Sequence, residues 1–184
     1  MLFRSDMQAF LETAFLAALP GLAEDAAWYL WHPMLTQGYF AAAAAAAAAA
    51  DLIIHRQIIW KKAQFIFGRG DYHWRHELCF YGWRQGHRPS FHGPRNQDTV
   101  WEIPWGEKRS EVGHPTAKPV ELFAIPMRNH QPMISYEPFA GSGSQVIAAE
   151  QYGVSCRAIE IEPQYVQVAL DRWEAFTGQK AVKR

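Results

Sequence analysis

Apolar residues recur at helical spacing near the start of the chain. Phe10, Ala14, Phe15, Ala18 and Leu19 fall on one face, and Pro20-Gly21 ends the run. This predicts an amphipathic helix over residues 7 to 23. AAWYLWHP, Ala26 to Pro33, is a short apolar and aromatic run closed by proline, the profile of a buried strand. Ala41 to Ala50 are ten consecutive alanines, an excellent helix former that says nothing about packing. LIIHRQIIW (Leu52 to Trp60) and HELCFYGWRQG (His76 to Gly86) read as strands, with a loop holding Gly68 and Gly70 between them. Residues 86 to 113 are rich in Gly, Pro, His and Asn and predict an irregular excursion. A helix should begin near Pro119 and be interrupted by Pro126. Then come a strand (Met133 to Phe139), a glycine turn, a helix (Ser144 to Tyr152), a strand (Ser155 to Ile161) and a helix (Pro163 to Phe176). Strand and helix alternating through short links predict an α/β fold with a parallel sheet.

At 184 residues, 49% of them hydrophobic and 14% aromatic, the chain can bury one domain's core. No apolar run is long enough to span a bilayer, and MLFRSDMQAF lacks the order of a signal peptide, so the chain reads as cytoplasmic. Cys79 and Cys156 have no CxxC spacing and read as core thiols. The formal charge is zero but unevenly spread. Residues 56 to 96 hold Arg56, Lys61, Lys62, Arg69, Arg75, Arg84, Arg88 and Arg95 against Asp71 and Glu77. Interleaved with aromatic residues, this basic segment is either a phosphate- and base-binding surface or a solvated rim around core rings. His73-Trp74-Arg75-His76-Glu77 has the order H-x-x-H-E, which matches no zinc motif and enters a strand, so no metal is expected.

YEPFAGSGSQVIAAE, Tyr136 to Glu150, runs from strand through glycines to helix. In an open parallel sheet, ligands sit off the carboxyl ends of the strands, where Gly141 and Gly143 would let backbone approach a cofactor. A nicotinamide fingerprint wants a third glycine where Val146 stands, and a phosphate loop wants Gly-Lys-Ser/Thr, which is absent. Glu137 at the end of the first strand would repel a pyrophosphate but not a cation. Glu160 at the tip of the next strand suits ribose hydroxyls. A ribose, a positive centre and no phosphate describe S-adenosylmethionine.

Three segments carry a family resemblance. Glu137-Pro138-Phe139-Ala140-Gly141-Ser142-Gly143 resembles the D-P-F-x-G-S-G cofactor motif of amino-group DNA methyltransferases, with Glu for the usual Asp. His114-Pro115-Thr116-Ala117-Lys118-Pro119 resembles their H-P-T-x-K-P motif, and Ala158 to Tyr165 their G-x-E-x-x-P-x-Y strand. The cofactor motif falls in the last third of the chain, the order of the circularly permuted beta class. Ile58 to Gly86 and Thr99 to Pro104 also resemble phage-type and other bacterial members.

The resemblance implies an α/β, Rossmann-like S-adenosylmethionine-dependent methyltransferase fold: a mostly parallel sheet with helices on both faces, circularly permuted and lacking its N-terminal strands. It implies one domain over residues 1–184, with 1–60 the remainder of the catalytic half, 61–113 facing DNA and 114–184 holding the cofactor. Glu137, Phe139, Gly141, Ser142, Gly143 and Glu160 would bind it, supported by His114, Thr116 and Lys118, with a simple surface charge as the slightly less favoured alternative for Lys118. Lys61, Lys62, Arg69, His73, Trp74 and Arg75 would meet double-stranded DNA. The family context is DNA methylation in restriction and modification, and the resemblance admits a homodimer.

In the family, the base is extruded from the duplex, and its exocyclic amine attacks the sulfonium methyl directly beside a D/N/S-Pro-Pro-Tyr/Phe loop. Most relatives modify adenine at N6, some cytosine at N4. No Pro-Pro pair occurs in this sequence. The expectation is therefore an N-terminally truncated enzyme that is inactive as written. The competing readings are a non-catalytic module that binds the cofactor and DNA and, less favoured, an NAD-dependent oxidoreductase.

Overall fold

The computed structural model describes residues 4–46, 52–104 and 117–183. The chain divides into two compact units. One comprises Met1–Ser90 with Asn96–Glu102, the other Phe91–Arg95 with Ile103–Arg184.

The first unit opens with helix α1 (Arg4–Ala18), which ends in a 3-10 turn at Leu19–Gly21 where proline and glycine were expected to stop it. Strand β1 (Trp28–His32) follows, then α2 (Gln37–Ala46). The first six alanines of the run are thus helical, with Ala43 and Ala44 buried, while Ala47 to Ala50 lie outside the described residues.

Strands β2 (Leu52–Ile66), β3 (Trp74–Arg84) and β4 (Val100–Glu102) complete a sheet in the order β1-β3-β2-β4. β3 pairs antiparallel with both β1 and β2, and only β2 with β4 is parallel. The expected mostly parallel sheet is corrected here. β2 and β3 run directly into one another through a short glycine-bearing tip, and so short a link can join only antiparallel neighbours. Central β3 is buried through Leu78, Cys79, Phe80 and Trp83, whereas β2 buries the alternating Ile58, Trp60 and Lys62. β4 also gives the excursion a short strand that its composition did not announce. It is entered by an Asp98 side chain accepting from the Val100 amide at 2.8 Å.

Gly82, opposite Trp28 in the β1–β3 register, is required by packing. A Cβ there would overlap the Ile53 carbonyl oxygen and lie 2.7 Å from Cε2 of the Trp28 indole.

The second unit holds α3 (Glu121–His130), β5 (Ile134–Glu137), α4 (Ser144–Gln151), β6 (Ser155–Ala158) and α5 (Pro163–Thr177). β5 and β6 pair in parallel, in the expected strand–helix–strand order. α3 is not broken at Pro126 as its sequence suggested; the proline sits inside a continuous helix. Proline forfeits one backbone donor, and here Leu122, Ala124, Ile125 and Met127 are buried around it, so packing outweighs the lost bond. Ala124 and Met127 meet Ala148, Ala149 and Val154, which seats α3 and α4 on one core beside Cys156. Both cysteines are free thiols.

Candidate functional site

The glycine turn leaves β5 at Glu137 and enters α4 at Ser144. The Ile159 amide donates to the Glu137 carbonyl at 2.8 Å and the Ala140 amide to the Ile159 carbonyl at 2.9 Å. The chain beyond β5 therefore stays laced to the chain beyond β6, and Glu137 and Glu160 come to the same carboxyl end of the parallel pair.

Glu160 is held by backbone. Its Oε2 accepts from the Gly141 amide at 2.7 Å and its Oε1 from the Glu162 amide at 2.9 Å. The two amides fix the carboxylate just past the end of β6, on the side where a ligand of the parallel pair would lie. Glu137 accepts from the Phe139 amide at 2.9 Å. Burial raises its carboxyl above the ordinary range; the Phe139 amide and the Lys118 ammonium pull it down, and Glu160 pushes it further up. A half-buried acid beside a second acid is a place where a cation is welcome. Phe139 and Ile161 expose apolar surface around the pair, at 49% and 88%.

The two glycines differ in purpose. Both have left-handed backbone, with φ of 51° at Gly141 and 76° at Gly143. At Gly143 a Cβ would lie 2.7 Å from the Ala169 Cβ of α5, so this glycine lets the turn pack on a helix. The sequence reading gave it to the cofactor alone.

Sequence reasoning missed Arg172. From α5 its guanidinium donates to the Ser142 carbonyl at 2.5 Å, the Ser142 hydroxyl at 3.2 Å and the Ser144 hydroxyl at 3.3 Å. The Ser144 hydroxyl in turn donates to the Lys118 carbonyl at 2.7 Å. Ser142 and Ser144 are both buried, which explains their need for partners. Lys118 thus joins the site through its backbone as well as its charge. The only sequence signal for Arg172 was a basic residue on an otherwise amphipathic helix. His114 and Thr116 lie outside the described residues.

In the first unit, the basic candidates separate into free and engaged groups. Lys62 is 3% exposed, its ammonium 2.7 Å from Glu77 and 5.1 Å from the Trp60 ring centre, so it is committed to the interior and does not face a phosphate. Lys61 pairs with Glu102 at 2.7 Å on the surface. Arg75 donates to the carbonyls of Lys62 and Ala63, each at 3.1 Å. This is where the β2–β3 register breaks between Lys61 and Ile66. Arg75 therefore fills the backbone irregularity. Arg69, His73 and Trp74 remain at or beside the hairpin tip, with Phe65 and His73 stacked at 5.2 Å. Among the described residues, no group of three or more His, Cys, Asp or Glu is placed to hold a metal. No described helix is long and apolar enough to cross a membrane.

No family model and no curated protein matches the chain. Solved structures do, and they include DNA methyltransferases of α/β fold, some crystallised with S-adenosylmethionine. The complex of M1.HpyAVI with SAM aligns at TM-score 0.74 and 19% identity, covering 88% of this chain and 82% of that one. A protein described as a putative DNA modification methylase from Thermus thermophilus, complexed with S-adenosyl-L-methionine, aligns at 0.65 and 16%, covering 94% and 79%. The cytosine-N4-specific PvuII DNA methyltransferase aligns at 0.67 and 14%, covering 96% and 73%. Identities this low establish a shared fold.

Proposed function

We propose that this chain binds S-adenosylmethionine at its glycine turn and double-stranded DNA through its hairpin, as part of an amino-group DNA methyltransferase. Adenine N6 is the favoured target and cytosine N4 the alternative. The observation that carries this reading is Glu160, whose two oxygens are aimed by the Gly141 and Glu162 amides. A carboxylate fixed in this way off the end of a parallel strand suits the hydroxyls of a ribose. Burial penalises the charged form of Glu137, and a positive centre beside it would offset that penalty. Bound there, S-adenosylmethionine supplies an electrophilic methyl on a sulfonium. The residues of this chain bind and orient; Phe139 and Ile161 offer apolar surface to its base.

Motif order supports the circularly permuted beta class. The sequence holds no D/N/S-Pro-Pro-Tyr/Phe, and methyl transfer by this chain alone is therefore expected to be absent. That absence equally favours the second reading, a module that binds cofactor and DNA without turning over.

Calorimetric titration tests the cofactor. S-adenosylmethionine should bind and NAD should not. Glu160→Ala should weaken binding by about 10- to 150-fold, since hydrogen bonds to charged groups are worth about 1.5–3 kcal/mol. A preference for NAD would sink the proposal. Labelled methyl transfer to an adenine-rich duplex separates the two readings, and robust turnover would refute the assignment of catalysis to residues outside this sequence.

A further inference from the structure

The β2–β3 hairpin ends in rings that the core does not use. Phe67 is 81% exposed. It is nevertheless held: its ring meets Phe65 edge-on at 5.0 Å and His73 at 5.0 Å, while Phe65 and His73 stack on each other. The Gly68 amide donates to Nδ1 of His73 at 3.4 Å, which fixes the supporting ring from behind. Below the tip, Arg75 ties the irregular β2 backbone down. An exposed phenylalanine usually costs solubility and still has its χ1 freedom to lose on binding. Here two neighbouring rings have already restricted it, so little of that cost remains when it is buried by a partner.

Beside it stands Arg69, which no carboxylate or carbonyl engages among the described residues. Asp71 is the one acid in residues 63–75, against Arg69 and Arg75. A buttressed apolar ring with an arginine two residues along the same tip is complementary to a base step and its adjoining phosphate.

We propose that Phe67 is a wedge that enters between stacked bases of duplex DNA, with Phe65 and His73 as positioning residues and Arg69 on the neighbouring phosphate. This rests on the DNA reading above and makes it specific. The hairpin partly unstacks the duplex at its contact point, so binding energy comes from stacking as well as from charge.

The test uses the full chain and a 30-base-pair mixed-sequence duplex carrying 2-aminopurine, followed by anisotropy across a salt series. Wild-type chain should raise 2-aminopurine fluorescence at some positions on binding. Phe67→Ala should weaken affinity about tenfold or more at fixed salt and abolish the fluorescence rise, while leaving the salt slope unchanged. Arg69→Ala should lower the slope by about 0.9. Phe67→Leu, which keeps apolar bulk, should recover part of the affinity; circular dichroism should show all variants folded, since Phe67 is exposed. Wild-type affinity and fluorescence in Phe67→Ala would overturn the wedge while leaving DNA binding intact. Loss of self-association in Phe67→Ala, with DNA binding unchanged, would assign the tip to a protein contact instead. Failure of the wild-type chain to bind duplex at low salt would overturn the DNA reading itself, and calorimetry with S-adenosylmethionine reports the cofactor site independently of either result.

Discussion

Replacing Gly143 by alanine probes whether the glycine turn is shaped by its ligand or by α5. Two costs are read from the structure. A φ of 76° is left-handed, and an L side chain there costs about 1–2 kcal/mol. The new Cβ would also sit 2.7 Å from the Ala169 Cβ and 3.2 Å from the Ala169 Cα, a clash with helix backbone that no rotamer relieves. Overpacking of this kind costs about 1–3 kcal/mol. The sum, about 2–5 kcal/mol, corresponds to a melting point lower by about 4–20 °C for a chain of this length. Urea unfolding followed by circular dichroism measures it without ligand present. The informative partner is Ala169→Gly, which removes one clashing methyl and itself costs about 1 kcal/mol as a helix-interior glycine. If the contact is responsible, the double variant should be less destabilised than the sum of the singles by about 1–3 kcal/mol. Additivity within about 0.5 kcal/mol would refute the packing account and leave only backbone strain.

Three further outcomes are expected. Glu137→Gln should raise apo stability at neutral pH, because burial raises this carboxyl and the folded chain pays for its ionisation; the gain should vanish below about pH 4, where both states are protonated, and an unchanged melting point at pH 7.5 would count against it. His32 is 4% exposed, its ring 4.1 Å from that of Phe80, and burial lowers its pKa against the pull of the Pro33 carbonyl. The unfolded chain therefore takes up a proton first: stability is full above about pH 6.5 and falls as pH drops below it. His32→Phe should flatten that limb in unfolding measured from pH 5 to 8, leaving the part due to His55, whose pKa is lowered by burial and by Arg56 and Arg88. Gly82→Ala should cost more than about 3 kcal/mol, beyond ordinary overpacking, because the obstacle is the Ile53 carbonyl; near-UV circular dichroism should show lost packing, and Trp28→Ala should fail to restore it.

The second unit was largely legible in the sequence, since its elements are local. Period, proline and glycine mark α3, α4 and α5 to within a few residues, whereas the 2.7 Å bond from the Gly141 amide to Glu160 was not foreseen, Glu160 having been given to ligand hydroxyls. Pro126 misled because propensity cannot see the core that α3 packs on. The first unit was harder. Its strands were visible, but alternation of strand and helix elsewhere suggested parallel pairing, and the hairpin's register break hid the true length of β2. Charge patterning treated Lys61, Lys62, Arg69 and Arg75 as equivalents. Lys62 and Arg75 turn out to be spent on Glu77 and on backbone carbonyls, a distinction that depends on which face of a strand each occupies. Arg172 was invisible for the same reason: its partners lie 30 residues earlier.

That long reach makes the glycine turn a poor candidate for transplantation. A graft of Tyr136 to Glu150 into another α/β scaffold would carry both left-handed glycines but neither the guanidinium that seats Ser142 and Ser144 nor the small Ala169 that makes room for the turn. The portable unit runs from Tyr136 through Thr177. Within it, Ser142, Ser144, Ala169 and Arg172 form a set that can drift only in concert, so a recombination breakpoint falling between α4 and α5 would separate residues that work as one.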